Sequence, residues 1–450
     1  MNTGIEQQVS VGDVPDGLAP TDPNNQLTTD SQDVEFAPNI KGVDDSVVDY
    51  TGIATELSNG LVAAQEAFAN IRALVAWRTT LEGYGDEPLT PQLQVATEVI
   101  LDLTTRSAGL SSVDIIPSLE DLSNPTISVE ALYKYAERLY EALGRLITRI
   151  GELLSKLYSA LTSRMRWVRA ELVILKGRLA IAKGGRAKSL RFKVGQLGNL
   201  MVIRGIPVTT YSEFQSSATD ISALATACIT THLYAISELG KELNKIVDSE
   251  SFPNPRATEA RLTRAFATLG DTSLGLLCTK SVGSDPRFER AGYVTTASAN
   301  LLGNKTVYKT KPRQGSELND TFGTTTFSVD HTTLKVANYE PKADQTFDTL
   351  TLSEVGKLLD SCTAMANLVD RLDNSDVRGR VLESLSRLRN ATSKRGKDGT
   401  LKGETAELIQ SAAVAFTDAC SNPLSDLMGH LITVATGGIK LAGRSLDQYD

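Results

Sequence analysis

The sequence predicts a mainly α protein built of long amphipathic helices, with a small β insert at about residues 276–345 and a disordered acidic N-terminus. Three observations carry that expectation. Apolar residues recur every 3.6 positions from Leu132 to Leu179, thirteen steps over 47 residues, which is the α-helical period. Two β-favouring runs, Lys305-Thr-Val-Tyr-Lys-Thr310 and Thr324-Thr-Thr-Phe-Ser-Val329, stand between Gly and Pro turns. The first forty residues are rich in Asp, Asn, Thr, Gln and Pro, with apolar residues scattered singly, too few to offset the entropy of ordering.

Taken in order, residues 1–40 form the acidic tail and residues 41–110 a helical pro-segment, with helical spacing from Val47 to Leu74 and a shorter helix at 91–106. Gly109, Pro117 and Pro125 with paired serines make residues 111–130 an exposed linker. Ser128 caps the long helix, expected from Val129 to Lys183, and Gly184 and Gly185 end it. Gly144 and Gly151 allow close approach along one side. Residues 131–275 then hold this basic helix and the helices packed on it, among them 213–247, with a break near Thr230, and 255–269. After the β insert, residues 346–450 return to helix at the capping box Thr351-Leu-Ser-Glu354, with breaks near Asn374 and between Ser393 and Gly403.

The chain has 450 residues, with 54 Asp and Glu against 46 Lys and Arg, a net of −8. The charge is unevenly spread. Residues 1–130 carry 21 acids against 4 bases, a net of −17, which leaves +9 for residues 131–450. The four cysteines, Cys228, Cys278, Cys362 and Cys420, are far apart and form no CxxC, which disfavours a disulfide scaffold or zinc site and suits a reducing compartment. No signal peptide is expected, and no apolar window is long enough to span a bilayer, so stable membrane insertion is not expected.

Chemistry is sparse. The three histidines, His232, His331 and His430, stand alone, and HExxH, GxxxxGK[ST] and GxSxG are all absent. No catalytic residue, metal site or cofactor is expected. A triad assembled in space from Cys420, His430 and a carboxylate is the one enzymatic alternative; a buried Cys and a His near a helix end are the plainer reading.

The basic run is the candidate site. Fourteen Lys and Arg between Arg145 and Arg204 (Arg145, Arg149, Lys156, Arg164, Arg166, Arg169, Lys176, Arg178, Lys183, Arg186, Lys188, Arg191, Lys193 and Arg204) face two Glu, a net of +12, and most lie off the apolar stripe. Such a face can exchange counterions with a polyanion, and all but Arg204 are candidate DNA contacts. Pairing with the acidic N-terminal segment and a plain solvated face are the alternatives, and Tyr158 and Trp167 also permit a membrane-surface helix.

Several pieces in order (Asp49-Tyr-Thr-Gly-Ile-Ala-Thr-Glu-Leu57, Pro117-Ser-Leu-Glu120, Ser128-Val-Glu130, a strand at Leu302-Gly-Asn-Lys305 and the terminal Ser445-Leu-Asp-Gln-Tyr449) resemble the internal head proteins of large tailed bacteriophages, loosely from Asp49 to the end. The resemblance implies a structural protein that enters the prohead core beside capsid proteins, loses a propeptide to the prohead protease and stays in the capsid with packaged DNA. In some such phages the protein is ejected into the host, so an effector acting on membrane or a host protein is the alternative function. The family's protease cuts after Glu in small-x-Glu; Ser118 with Glu120, and Ser128 with Glu130, are the candidates, although Ala-x-Glu or Gly-x-Glu occurs eight more times. Removing the −17 segment would unmask the basic helix, and an oligomer is compatible with the role.

Overall fold

A computed structural model describes residues 89–107, 125–182, 187–248, 254–283, 285–314, 323–332, 345–373, 376–397 and 404–449, and single positions from Glu56 to Leu81. The chain divides into units Met1–Asp45 and Ser46–Asp450. The expected acidic tail, the linker up to its last residues and most of the first pro-segment helix lie outside the described residues.

Helix α1 (Pro91–Ser107) matches the expected helix at 91–106. Helix α2 (Pro125–Ile181) runs 57 residues, or roughly 85 Å. It starts earlier than expected because Pro125 stands first. A proline has no amide to leave unsatisfied there, and its fixed φ is already helical, so Ser128 lies inside the first turns and is not the cap. The apolar period carries through: Ile150, Leu153, Leu157, Leu161, Met165, Val168, Leu172 and Leu175 are all buried. Gly151 does not provide the expected close approach, since nothing lies within 4 Å of the position a Cβ would take.

After α2 the chain makes a short strand β1 (Arg191–Lys193) and a hairpin of β2 (Val202–Ile203) and β3 (Ile206–Pro207). Arg204 and Gly205 turn it, both with positive φ, as a two-residue hairpin that follows the strand twist requires. Helix α3 (Tyr211–Ala227) opens on a capping box made by Thr210 and Glu213. The expected break near Thr230 is a π turn at Cys228–His232, which joins α3 to α4 (Leu233–Asp248) without interrupting the helix. Thr226, Thr230 and Thr231 each donate a hydroxyl hydrogen bond to the carbonyl four residues back, competing with the regular ladder at that point. Helix α5 (Pro255–Ala267) and the short α6 (Ser273–Leu277) lead into the β insert.

The insert is an antiparallel meander, β4 (Lys280–Ser281), β5 (Tyr293–Ala297), β6 (Lys305–Pro312) and β7 (Thr326–His331), paired in chain order. Leu302–Asn304 is not strand but a single 3-10 turn, because Gly303 and Asn304 take positive φ; the strand begins at Lys305. The sheet is tied to the helices by Leu302 N–H donating to Ser217 Oγ at 2.9 Å and by buried Lys309 donating to the Gly275 carbonyl at 2.6 Å. Phe327 meets the edge of His232 at 4.8 Å. A further strand, β8 (Thr346–Asp348), returns to pair with β1, placing Phe192 against Phe347.

Four helices close the fold: α7 (Leu352–Asp373), α8 (Asp376–Lys397), α9 (Glu404–Ser421) and α10 (Leu424–Leu446). Thr351 and Glu354 form the expected box, with Thr351 N–H to Glu354 Oε2 at 2.8 Å and Glu354 N–H to Thr351 Oγ1 at 3.2 Å. A break not foreseen lies at Asn422-Pro423, where proline cannot continue α9. Helix α2 is the axle, packed by α7, α8 and α10, while α4 packs on α8 and α9. Gly438 lets α10 approach α7, since a Cβ there would stand 2.7 Å from Cys362 Sγ.

Candidate nucleic-acid interface

The solvent-facing side of α2 divides the basic run into two kinds of residue. Arg149 pairs with Glu56 of the acidic segment, Arg169 with Asp370, Lys176 with Asp360 at 3.0 Å, Arg178 with Asp447 at 2.8 Å, and Arg191 with Asp348 at 2.7 Å. Arg169 also donates to the Ala366 carbonyl and to Asn367 Oδ1. Four of these five carboxylates come from 346–450 and one from the N-terminal region. The sequence could not single them out, because they lie 157 to 269 residues away or on a different segment.

Arg145, Lys156, Arg164 and Arg166 form no ion pair among the described residues. Arg145 and Arg166 stand on one exposed line of the helix with Arg149 and Lys156, spanning roughly 30 Å. Lys188 is exposed beyond the helix end, and its backbone amide donates to the Gln448 carbonyl. Lys193 is exposed, and its carbonyl receives Arg444 Nη1 at 2.7 Å. Arg204 is exposed at the hairpin turn. Lys183 and Arg186 lie outside the described residues, as do Ser118 and Glu120. Ser128 and Glu130 lie within α2, so cutting after Glu130 requires that end of the helix to unwind.

A cationic cluster supplements the line. Half-buried Lys440 on α10 has its pKa pushed down to about 8, first by burial and then by the Arg444 and Arg164 guanidiniums. Positive charges held together in this way resist protonation, and an anion brought among them relieves the repulsion. Sequence reasoning missed Lys440 and Arg444 because they lie more than 200 residues from the run.

Elsewhere the polar groups have structural work. Cys420 is buried and its thiol is pushed well above its usual range, the reverse of a nucleophile's activation, while burial, with Lys305 nearby, holds His430 down to about 3. An open hollow of about 410 Å³ is lined by Ile203, Ser212, Glu213, Ser216, Ser217, Asp220 and Asn300. In it Glu213 is held by the backbone N–H groups of Thr209 and Thr210, and Ser217 by Leu302. Among the described residues no group of His, Cys, Asp and Glu could hold a metal ion, and no helix is long and apolar enough to cross a membrane.

Comparison with protein families matches residues 52–443 to the model of the phiKZ-like phage internal head proteins. Curated proteins and solved structures give no match.

Proposed function

The chain belongs to the phiKZ-like phage internal head proteins, which makes it a structural protein of the capsid interior, and we propose that it contacts packaged DNA through the unpaired part of the basic helix once an acidic propeptide has been removed. The observation that carries this reading is the line of Arg145, Lys156 and Arg166, beside Arg164, which form no ion pair among the described residues, whereas Arg149, Arg169, Lys176, Arg178 and Arg191 are each paired with a carboxylate of the chain itself. Attraction to phosphates needs no base-reading motif, and the sequence has none.

The propeptide reading rests on the −17 charge of residues 1–130 and on the contact of Glu56 with Arg149, which sets one acidic side chain of that region on the basic helix. The region is also held by packing. Leu81 and Leu89 are buried in the common core, and Trp77 donates its indole N–H to Thr97 at 2.9 Å. Cleavage at Glu120 or Glu130, by the prohead protease in this proposal, would therefore cut the connection without at once releasing the segment.

The test is twofold. Protein recovered from virions should begin at Asp121 or Ala131, and it should bind duplexes of unrelated sequence about equally, with affinity falling steeply as salt rises. An intact Met1 terminus in mature particles rejects the propeptide, and binding that ignores salt rejects the electrostatic contact.

A further inference from the structure

The exposed line of α2 changes chemistry along its length. Up to Arg166 it carries Arg, Glu, Lys and Ser; over its last turns it carries Ala170, Val173, Ile174, Gly177, Ala180 and Ile181. Val173, Ile174 and Ile181 are 74%, 54% and 80% exposed, so this apolar face is uncovered although the opposite face of the same turns is core. The spacing 170, 173, 177, 180 is that of a helix–helix seam.

We propose that these turns are the contact between two copies of this chain, packed as antiparallel helices about a two-fold axis near residues 175 and 176. Under such an axis each Ile174 lies over Gly177 of the second copy and each Ile181 over Ala170, large against small, so the surface is complementary to itself. Gly177 has an independent reading that agrees. A glycine within a helix destabilises it relative to alanine, yet nothing in the chain lies within 4 Å of where its Cβ would stand, so no intrachain neighbour requires the gap.

The flanks permit the pairing. Arg169, Lys176 and Arg178 border the stripe, and each is neutralised by Asp370, Asp360 or Asp447 of its own chain, so two copies meet without strong like-charge repulsion. The same neutralisation makes the stripe a poor site for phosphates. With only three large apolar side chains exposed in it, the stripe is smaller than the ~800 Å² per partner of a stable complex, so the dimer forms at high protein concentration and dissociates on dilution.

Sedimentation velocity of the full chain over a wide concentration range tests this. The expected result is a monomer–dimer equilibrium that Ile174→Gln and Gly177→Leu each abolish, with helicity unchanged and, for Gly177→Leu, a higher melting temperature. A chain that stays monomeric throughout, or a dimer that survives both substitutions, overturns the proposal. So does wild-type binding to phosphatidylglycerol vesicles that Ile174→Gln removes in the absence of self-association. For orientation, Ile174→Cys mixed with Gly177→Cys should form an interchain disulfide faster than either variant alone, the four native cysteines being buried. Equal rates would reject the antiparallel register.

Discussion

Replacing Arg145, Lys156, Arg164 and Arg166 with Gln removes four cations that no described carboxylate neutralises, and keeps side chains with good helix propensity. If each contacts one phosphate, the logarithmic salt slope of duplex binding should flatten by about 0.9 per residue, or about 3.6 in all. Over a fourfold rise in salt that difference amounts to roughly 150-fold in affinity between wild type and variant. The matched control is Arg169, Lys176, Arg178 and Arg191 to Gln. It removes the same formal charge, but these residues are already paired with Asp370, Asp360, Asp447 and Asp348. These pairs are largely exposed, so their loss should cost the fold only about 0.2–1 kcal/mol each. The salt slope should change little.

Fluorescence anisotropy with two duplexes of unrelated sequence, together with melting curves for both variants, reads the two effects separately. Equal loss of DNA affinity in the two sets would mean that only overall charge matters and that the unpaired line is not the site. No loss in the first set would remove DNA contact from α2 altogether.

Leu161 on α2 is wholly buried, so Leu161→Ala should destabilise the fold by about 2–5 kcal/mol in urea titration, and a loss under 1 kcal/mol would contradict its place in the core. Burial holds the His232 pKa at about 4, below the usual 6.5, so the unfolded chain takes up that proton first and stability falls with decreasing pH across that interval, by about 2 kcal/mol at about pH 5. His232→Phe should remove this part of the acid limb in melts compared at neutral and acid pH, and an unchanged limb would contradict a neutral buried imidazole. Changing Glu120 and Glu130 together to Gln should leave residues 1–130 attached in virions, read by peptide coverage; loss of the segment despite both changes would place the cut elsewhere.

The long helix was legible because one period is repeated over 47 residues, and the strands at 305–312 and 326–331 because β-branched residues cluster between turns. What was not legible is non-local or turns on one residue. Pro125 reads as a linker residue until its neighbours prove helical, whereupon it becomes the first residue of α2. Strand β1 has only three residues and exists because β8, over 150 residues later, supplies its partner. The basic run was visible, but its division was not, since Asp360, Asp370 and Asp447 reveal themselves as partners only once α7 and α10 lie along α2. The terminal Ser445-Leu-Asp-Gln-Tyr449 shows the same dependence. Ser445 accepts from Leu350 N–H, Tyr449 donates to the Leu350 carbonyl and Asp447 holds Arg178, so this terminal run locks the entry to α7.

That division bears on how one helix can serve a crowded capsid. A helix cationic along its whole length would hold two copies apart by repulsion wherever DNA was absent. In α2 the cations near the C-terminal end are answered by carboxylates of α7 and by Asp447, while those between Arg145 and Arg166 include four with no such answer. Charge available to an outside polyanion is thereby set about one to seven turns away from apolar surface available to another protein. The two proposed contacts do not compete for the same turns, and DNA bound along the first zone would reduce the remaining repulsion between copies meeting at the second. Self-association should therefore strengthen when short duplex DNA is present, and by the reciprocity of coupled binding the dimer should hold DNA more tightly than the monomer does.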